Sequence, residues 1–373
     1  MSNYSLAEKY RHDAKKFGDF NLSEKKLVEW HSPSNIALIK YWGKYGDQLP
    51  KNPSISFTLN NSKTITKIEY SKAVGLERKI VYDFEGQRNL IFEERVKKYF
   101  HKFSEFVPFV KSLDFTIYSH NTFPHSAGIA SSASSFSSLA LCIASIEHTL
   151  FNTLGNKIDF FRKASFLARL GSGSACRSTF GKLALWGETD LMNTSSNELA
   201  IPVDKAIHPV FNTYYDAILI IDSGKKAFSS THGHELMKDH PFANSRYQQA
   251  NDNLKKLLQA LADGDENTFA RVVENEAMSL HGLMMSSNPP FVLMKPNTLV
   301  AITKLEEFRL KSNYSFTFTL DAGPNIHILY PERIRSEMLN FISSELSPLC
   351  ENSLWIDDHL SDGPEKVVTK NEI

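Results

Sequence analysis

The feature that most constrains the fold is a loop of small residues that leads directly into a long apolar segment. Residues 121–138 read NTFPHSAGIASSASSFSS, and residues 133–150, which lack Gly and Pro, are predicted to form a helix. Gly128 would let the backbone approach a ligand closely, and hydroxyls follow at Ser131, Ser132, Ser134 and Ser135. The free N–H groups and the positive end of a helix dipole favour an anion here, so the segment suits phosphate. An ordinary serine-rich helix cap is the alternative, and the GxxxxGK[ST] phosphate loop is absent.

The other segments predict a mixed fold. Strands are expected at residues 35–39, 51–60, 215–222 and 314–320, the last with alternating polar and apolar residues and therefore half-buried. Helices are expected at 158–170, 245–262 and 266–280, with Asp263-Gly264-Asp265 separating the last two. Strands and helices do not alternate strictly, which favours an α+β fold over a doubly wound parallel sheet. A length of 373 residues suits about two domains, which we place at 28–205 and 206–373 after an N-terminal extension of residues 1–27.

Composition excludes several classes of function. Lys and Arg number 42 and Asp and Glu number 42, so the chain lacks the basic excess that binding nucleic acid without sequence preference requires. The three cysteines are widely spaced and form no CxxC motif, which favours a reducing, cytoplasmic location over a disulfide framework. The charged N-terminus does not resemble a signal peptide, and no apolar run approaches the ~20 residues that cross a bilayer. We expect neither nucleic acid nor a membrane as a partner.

Three further segments carry candidate functional residues. Arg177 lies among small residues in GSGSACRS (171–178), where its guanidinium group could bind a carboxylate or phosphate through two hydrogen bonds. A dinucleotide-binding loop is a weaker alternative, because Cys176 replaces the third glycine of GxGxxG. Asp321 follows the predicted strand 314–320 and precedes a Gly-Pro turn, so it is either a catalytic carboxylate or a turn cap. Lys40 follows the apolar run 35–39 and could meet a carboxylate in the interior. His232 and His234 are spaced for metal chelation, but no third ligand is evident.

Taken together, these segments resemble the diphosphomevalonate decarboxylase family of the GHMP kinase superfamily. The resemblance runs from about residue 30 to 330 and rests on SNIALIKYWGKYGDQLPKNPSISFTL, NTFPHSAGIASSAS, ARLGSGSACRSTFG and TFTLDAGPNIHILY, with a weaker block AFSSTHGHEL. It implies a GHMP kinase fold, with a first part like ribosomal protein S5 domain 2 and a ferredoxin-like second part. The implied reaction is the ATP-dependent decarboxylation of mevalonate 5-diphosphate to isopentenyl diphosphate, with Mg²⁺ on the nucleotide phosphates.

The resemblance also implies roles for individual residues. Asp321 matches the catalytic aspartate, Arg177 the arginine that holds the substrate carboxylate, and Lys40 a partner that keeps Asp321 ionised. The residues that match substrate-binding positions are Asn35, Tyr41, Lys44, Arg95 and Ser174. The residues that match ATP-binding positions are Ser126, Gly128, Ser131, Ser132, Ser229 and Ser230. No residue is assigned to the metal, and a cytoplasmic homodimer is expected.

The sequence departs from the family pattern at Tyr45, Pro53 and His125, all near the expected ligands. A mevalonate 3-kinase or a phosphomevalonate decarboxylase of the same fold therefore stays an alternative. Another small-molecule kinase would share the phosphate loop but not KYWGK or DAGPN. A catalytically inert binding protein would be expected to have lost Asp321.

Overall fold

The computed structural model describes residues 5–75, 78–124, 129–203, 207–224 and 230–367. The helices are α1 (Leu6–Ala14), α2 (Leu90–Phe103), α3 (Ser131–Phe151), α4 (Lys157–Gly171), α5 (Ser230–Leu236), α6 (Ala243–Asp263), α7 (Glu266–Met285), α8 (Pro296–Ser312) and α9 (Arg335–Phe341). The strands of the first half are β1 (Lys26–Ala37), β2 (Lys44–Tyr45), β3 (Leu49–Pro50), β4 (Ser54–Lys72), β5 (Ile80–Phe84), β6 (Gln87–Arg88), β7 (Leu113–Asn121), β8 (Leu183–Trp186) and β9 (Ala200–Pro202). Those of the second half are β10 (Tyr214–Leu219), β11 (Thr317–Thr319), β12 (Ile326–Pro331), β13 (Trp355–His359) and β14 (Glu365–Val367).

A large sheet is organised around the long strand β4. Its strand order is β14-β1-β4-β7-β5-β6, and β8 pairs with the first residues of β4 and continues to β9. The pairings are antiparallel except that of β5 with β7. From Ser62 onward, alternate residues of β4 are buried, as expected for a strand with one face against a core.

Helix α3 fills the centre of the first half because small residues let its neighbours approach closely. Its buried serines are not left unsatisfied: Ser137 accepts from Ser32, Ser138 donates to the carbonyl of Trp30, and Ser145 accepts from the Trp30 indole. Ser134 is fully buried and bonds to Thr64 of β4 at 2.6 Å. The expectation that Ser134 belongs to a phosphate-binding loop is therefore wrong, since its hydroxyl faces the sheet.

The second half contains a four-stranded antiparallel sheet of order β11-β12-β10-β13. Helix α7 packs against β11, and the Thr317 hydroxyl donates to the Ala270 carbonyl of α7. The predicted half-buried strand at 314–320 is wrong on this point, because residues 316–320 are buried on both faces. Polar and apolar residues do alternate along this strand, but α7 covers the face that carries the threonines, which was expected to face solvent.

The other predicted helices are confirmed with equal or extended bounds; the strand expected within 51–60 is the start of β4, and that expected at 215–222 is β10, which ends earlier, at Leu219. The helices expected at 133–150, 158–170, 245–262 and 266–280 are α3, α4, α6 and α7. The break between the last two occurs at Gly264, which has φ +76° and follows the end of α6. The first three residues of the run 35–39 end a much longer strand, β1, whereas Leu38 and Ile39 lie beyond it. No helix in the described ranges is long and apolar enough to cross a bilayer.

The first and last elements that the structure describes are integrated into the fold. The proposed extension contains α1, whose Tyr10 and Ala14 are buried, and β1 already begins at Lys26. At the other end, β14 pairs with β1 in the first sheet. The division at 205/206 stays a prediction, and residues 204–206 lie outside the described ranges.

Candidate active site

The centre of the site is an ion pair between residues that lie just beyond two strands. Lys40 follows the end of β1 by three residues, and Asp321 follows the end of β11 by two. Lys40 Nζ lies 2.9 Å from Asp321 Oδ1, although the residues are 281 positions apart. The lysine side chain is 2% exposed and the aspartate 30% exposed. Burial lowers the pKa of Lys40, while the Asp321 and Glu276 carboxylates act in the opposite direction.

Arg177 lies close enough to Lys40 and Asp321 to interact electrostatically with both. It is 2% exposed; its Nη1 donates to Ser54 Oγ at 2.5 Å and its Nη2 donates to Asn35 Oδ1 at 3.3 Å. Burial lowers the pKa of Arg177. Its Nε has no hydrogen-bond partner within the part of the chain that the structure describes. This is a buried cation held by neutral groups, and such a cation favours an anionic ligand.

Asn35 connects this arginine to the loop GSGSACRS. Its amide nitrogen donates to Ser178 Oγ at 2.7 Å and to the Ser174 carbonyl at 3.3 Å. Ser174 Oγ lies 3.5 Å from Ser172 Oγ. The structure therefore places the predicted Asn35 and Ser174 beside Arg177.

Aromatic residues form one wall of the site. The Tyr41 ring contacts the rings of Trp186 and His234, with centroids 4.7 and 4.3 Å apart. His234 accepts from the backbone N–H of Gly43 at 3.0 Å and also contacts the Trp42 ring. Burial, with Lys44 nearby, holds the pKa of His234 at about 3, so the ring is neutral at physiological pH. His234 thus packs between two aromatic rings and bonds to the backbone of Gly43.

The Tyr41 hydroxyl and Lys44 supply polar groups near this wall. The hydroxyl is buried and has no hydrogen-bond partner among the described residues, and burial raises its pKa. Lys44 Nζ donates to Gln48 Oε1 at 3.1 Å, and partial burial lowers its pKa.

A second group of predicted residues meets at the start of α3. Arg95 of α2, Ser131 and Ser132 line one pocket with several aromatic side chains. The Arg95 guanidinium lies about 6 Å from the ring centres of Phe92 and Phe136. No described side chain caps the first turn of α3. Arg95 was predicted among the substrate residues, but its neighbours are two of the residues predicted to bind ATP.

The remaining predicted ATP residues cannot be placed with the others. Ser126, Gly128 and Ser229 lie outside the described residues. Ser230 begins α5.

Several residues of α6 and α7 at the site were missed by sequence reasoning. Glu276 is fully buried and accepts from the backbone N–H of Lys40 at 2.8 Å. It is held by Arg246 and by Asn253, which donates at 2.7 Å. His281 Nε2 lies 3.1 Å from the Asp321 carbonyl. The available signal was their spacing, because each is a polar residue that lies four positions from an apolar residue on the same helix face. The pairs are Glu276 with Val272, His281 with Ala277 and Arg246 with Ala250.

Metal ligation by the protein alone is not evident. Within the described ranges, no three His, Cys, Asp or Glu side chains gather closely enough to hold an ion. Mg²⁺ that arrives on nucleotide phosphates needs only one or two protein ligands. The serine hydroxyls and open helix end at Ser131 and Ser132 are compatible with such phosphates.

The fold and the site together define an enzyme of the GHMP kinase fold. Comparison with known proteins identifies the family. Residues 32–197 match the diphosphomevalonate decarboxylase-like N-terminal domain, and residues 217–370 match the mevalonate 5-diphosphate decarboxylase C-terminal domain. The chain is 30% identical to the diphosphomevalonate decarboxylase of Gibberella zeae over 321 residues, which span 81% of this chain and 80% of the relative. The chain belongs to the diphosphomevalonate decarboxylase family.

Solved structures agree with this assignment. The mevalonate diphosphate decarboxylase of Staphylococcus aureus is 26% identical, with a TM-score of 0.79 over 92% of this chain and 99% of that one. A structure of MDDEF in complex with MVAPP, AMPPCP and magnesium is 25% identical, with a TM-score of 0.77 over 93% of this chain and 100% of that one.

Proposed function

We propose that this enzyme uses ATP to convert mevalonate 5-diphosphate into isopentenyl diphosphate, ADP, phosphate and CO₂. The observation that carries the proposal is the Lys40–Asp321 pair, in which a buried ammonium contacts a carboxylate that remains partly exposed. A carboxylate placed in this way can accept a proton while its lysine partner stays in place. Family membership and the relatives' names support the choice of reaction.

In the first step, Asp321 takes the proton of the tertiary 3-hydroxyl as that oxygen attacks the γ-phosphoryl group of ATP. A hindered tertiary alcohol is a poor nucleophile, so placement and a nearby base both contribute. The Lys40 ammonium favours the ionised carboxylate before the transfer. ADP leaves, and the 3-phosphate remains on the substrate.

In the second step, the C3–O bond breaks and phosphate leaves with its electron pair, while the C1–C2 bond breaks and the carboxylate carbon C1 leaves as CO₂. The electron pair of the bond to the carboxylate becomes the new double bond. We propose that Arg177 grips this carboxylate, with Asn35 and Ser174 holding the arginine and the loop. The aromatic wall of Tyr41, Trp42 and Trp186 would exclude water, which would otherwise trap a positive charge that develops at C3.

The diphosphate and the nucleotide are assigned to different surfaces. We propose that Tyr41 and Lys44 contact the 5-diphosphate, because the first offers an unpartnered hydroxyl and the second is a cation close enough to act on His234, which packs on the Tyr41 ring. We propose that Ser131, Ser132, Ser126, Gly128, Ser229 and Ser230 serve ATP. Arg95 is reassigned to the nucleotide, because it shares a pocket with Ser131 and Ser132. Mg²⁺, when bound, would bridge the ATP phosphates and neutralise their charge.

The assembly and the cellular location are further parts of the proposal. We propose a cytoplasmic homodimer; all three cysteines are buried free thiols, which suits a reducing compartment. Sedimentation equilibrium of the purified chain tests the dimer, for which a single monomer mass would be the contrary result.

The function is tested by a product assay with Mg-ATP. Mevalonate, its 5-phosphate and its 5-diphosphate are offered separately, and ADP and CO₂ are followed in parallel. We expect equal ADP and CO₂ from the diphosphate alone. ADP without CO₂ would identify a kinase of this fold, and CO₂ from the monophosphate would identify a phosphomevalonate decarboxylase.

A further inference from the structure

Helix α7 bonds to the backbone of both members of the Lys40–Asp321 pair. Glu276 Oε2 accepts from the backbone N–H of Lys40 at 2.8 Å. His281 Nε2 lies 3.1 Å from the backbone carbonyl of Asp321, and because a carbonyl oxygen only accepts, this nitrogen is the donor. One rigid element therefore contacts two residues that are 281 positions apart in the chain.

The Lys40 peptide is also held from its carbonyl side. Asn52 Nδ2 donates to this carbonyl at 3.0 Å, and Arg246 Nη2 lies 3.4 Å from it. Arg246 in turn donates to both oxygens of Glu276, at 2.8 and 2.5 Å. The Arg246–Glu276 pair thus bonds to the N–H and the carbonyl of the same residue.

These contacts replace bonds that a sheet would otherwise provide. Lys40 lies beyond the end of β1 and Asp321 beyond the end of β11, so neither backbone is fixed by ladder hydrogen bonds of those strands. Displacing a catalytic group by about 1 Å can cost about 100-fold in rate. A precise Nζ–carboxylate distance therefore requires a scaffold that contacts both segments.

Stability alone does not account for the Arg246–Glu276 pair. Both side chains are at most 2% exposed, and burying two charges carries a desolvation cost that apolar residues of similar volume avoid. Both residues occupy apolar faces, where a methionine pair would fit the pattern of the helices. The pair differs from such an apolar pair in bonding to the Lys40 backbone.

We propose that α7 sets the spacing of Lys40 and Asp321, with Glu276 and His281 as positioning residues and Arg246 as the group that holds Glu276. This inference rests on the proposed function, since it concerns the same reaction. Neither Glu276 nor His281 touches the reacting atoms; each acts through the backbone of a catalytic residue.

The first test is the double variant R246M/E276M, which removes both charges and leaves the volume similar. We expect the protein to remain folded, because an apolar pair is commonly tolerated in place of a buried ion pair. We expect kcat to fall by about tenfold or more through misplacement of Lys40, while KM for mevalonate 5-diphosphate changes by less than about threefold. A merely structural role would leave kcat of the folded variant unchanged.

The matched control is R309M/E274M. Glu274 is on the same helix, and Arg309 of α8 donates to it at 3.2 Å, but neither residue bonds to Lys40 or Asp321 in the part of the chain that the structure describes. We expect kcat of this control within about twofold of the parent. Equal losses of kcat in the two double variants would overturn the proposal.

The second test uses His281 and decides the matter if R246M/E276M does not fold. Leucine removes the donor to the Asp321 carbonyl, whereas glutamine retains an N–H donor on a side chain of comparable length. We expect H281L to lose severalfold in kcat and H281Q to recover most of it, with thermal midpoints recorded for both. Identical kcat values for H281L and H281Q would overturn the role of His281.

The failure of this inference is distinguishable from failure of the proposed function. K40M and D321N test the proposed function directly, and normal turnover in either would remove its basis. Inactive K40M and D321N together with a fully active, folded R246M/E276M would leave the function intact and reject the positioning role of α7.

Discussion

At the scale of single residues, the site depends on charges that have different access to solvent. Lys40 and Arg177 are buried cations, whereas the Asp321 carboxylate, whose charge acts on both, is partly exposed. Burial makes each cation a strong electrostatic partner for an anion because little water screens it. Partial exposure lets Asp321 contact the substrate as a base, whereas burial fixes the positions of Lys40 and Arg177.

Arg177→Leu should separate phosphorylation from decarboxylation. Leucine cannot grip the substrate carboxylate, and it also removes the donors to Ser54 and Asn35. We expect CO₂ release to fall by at least about 100-fold, and ADP formation to fall less, because Asp321 and Lys40 remain. Rapid-quench measurement of both products checks this, and an unchanged CO₂ rate would rule out the role of Arg177.

His234 should make the stability of the protein depend on pH. Burial holds its pKa at about 3, against about 6.5 in an unfolded chain, so below pH 6.5 the unfolded chain binds a proton that the folded protein does not. This contribution is complete above pH 6.5 and is lost as the pH falls toward the folded value. In H234N, whose amide oxygen can still accept from Gly43, we expect the free energy of unfolding to fall less between pH 6.5 and 4.5, by on the order of 2 kcal/mol. Urea unfolding at several pH values tests this, and parallel pH profiles for the two proteins would contradict it.

The sequence revealed the residues of the Lys40, Arg177 and Asp321 segments because each lies in a short string with a distinctive composition. Glu276, His281 and Arg246 were missed because each is a single polar residue within a helix, where no local motif marks it. The sequence shows that these residues lie on apolar helix faces, but only the tertiary fold brings them close to their partners, Lys40 and Asp321.

At the scale of elements, apolar periodicity predicted α6 and the start of α7, and a stretch without Gly or Pro predicted α3. The burial of strand β11 could not be predicted in the same way, because the helix that covers its threonine face is distant in sequence from that strand. The short helix α5 was not predicted, and its sequence HGH invited a metal interpretation. Its contacts with Tyr41 and Trp42 instead make it part of the wall of the site.

Gly233→Ala tests the close packing of α5 on that wall. A Cβ at Gly233 would lie 2.3 Å from Trp42 Cζ2, so the indole or the helix must shift. We expect a loss of stability of about 1–3 kcal/mol, as for other overpacked sites, together with weaker binding of mevalonate 5-diphosphate. Thermal unfolding and KM measurements check both effects.

The matched control is Gly282→Ala in α7, where an added Cβ has no neighbour within 4 Å. Alanine favours the helix over glycine, so stability should stay constant or rise by up to about 1 kcal/mol. Equal effects of the two substitutions would show that Gly233 is not held by contact with Trp42.

At the scale of the whole molecule, the two predicted parts share a core. Phe57 of the first sheet contacts Tyr214 and Phe269 of the second half, with both pairs of ring centres 6.0 Å apart. Asp358 accepts from the backbone N–H groups of Asn61 and Ser62 at 2.7 and 2.8 Å. The sequence contains no segment with the composition of a flexible linker between two independent domains. The shared core itself could not be predicted, because it depends on contacts between residues far apart in the chain.

We therefore expect the protein to unfold in one cooperative transition. The two halves should not melt separately, because separation would expose the aromatic contacts around Phe57 and the pairing of β14 with β1. Scanning calorimetry should give equal calorimetric and van't Hoff enthalpies. Two resolved transitions would show that the halves are independent.

The measurement that tests the account most directly is a single-turnover experiment on Asp321→Asn with Mg-ATP and mevalonate 5-diphosphate. Asparagine keeps the shape of aspartate but cannot accept the hydroxyl proton, so substrate binding should persist while ADP and CO₂ formation both fall by orders of magnitude. The parent enzyme should form the two products in equal amounts in the same experiment. A D321N protein that forms ADP and CO₂ at the parent rate would contradict the assignment of Asp321 as the base, and with it the proposed site.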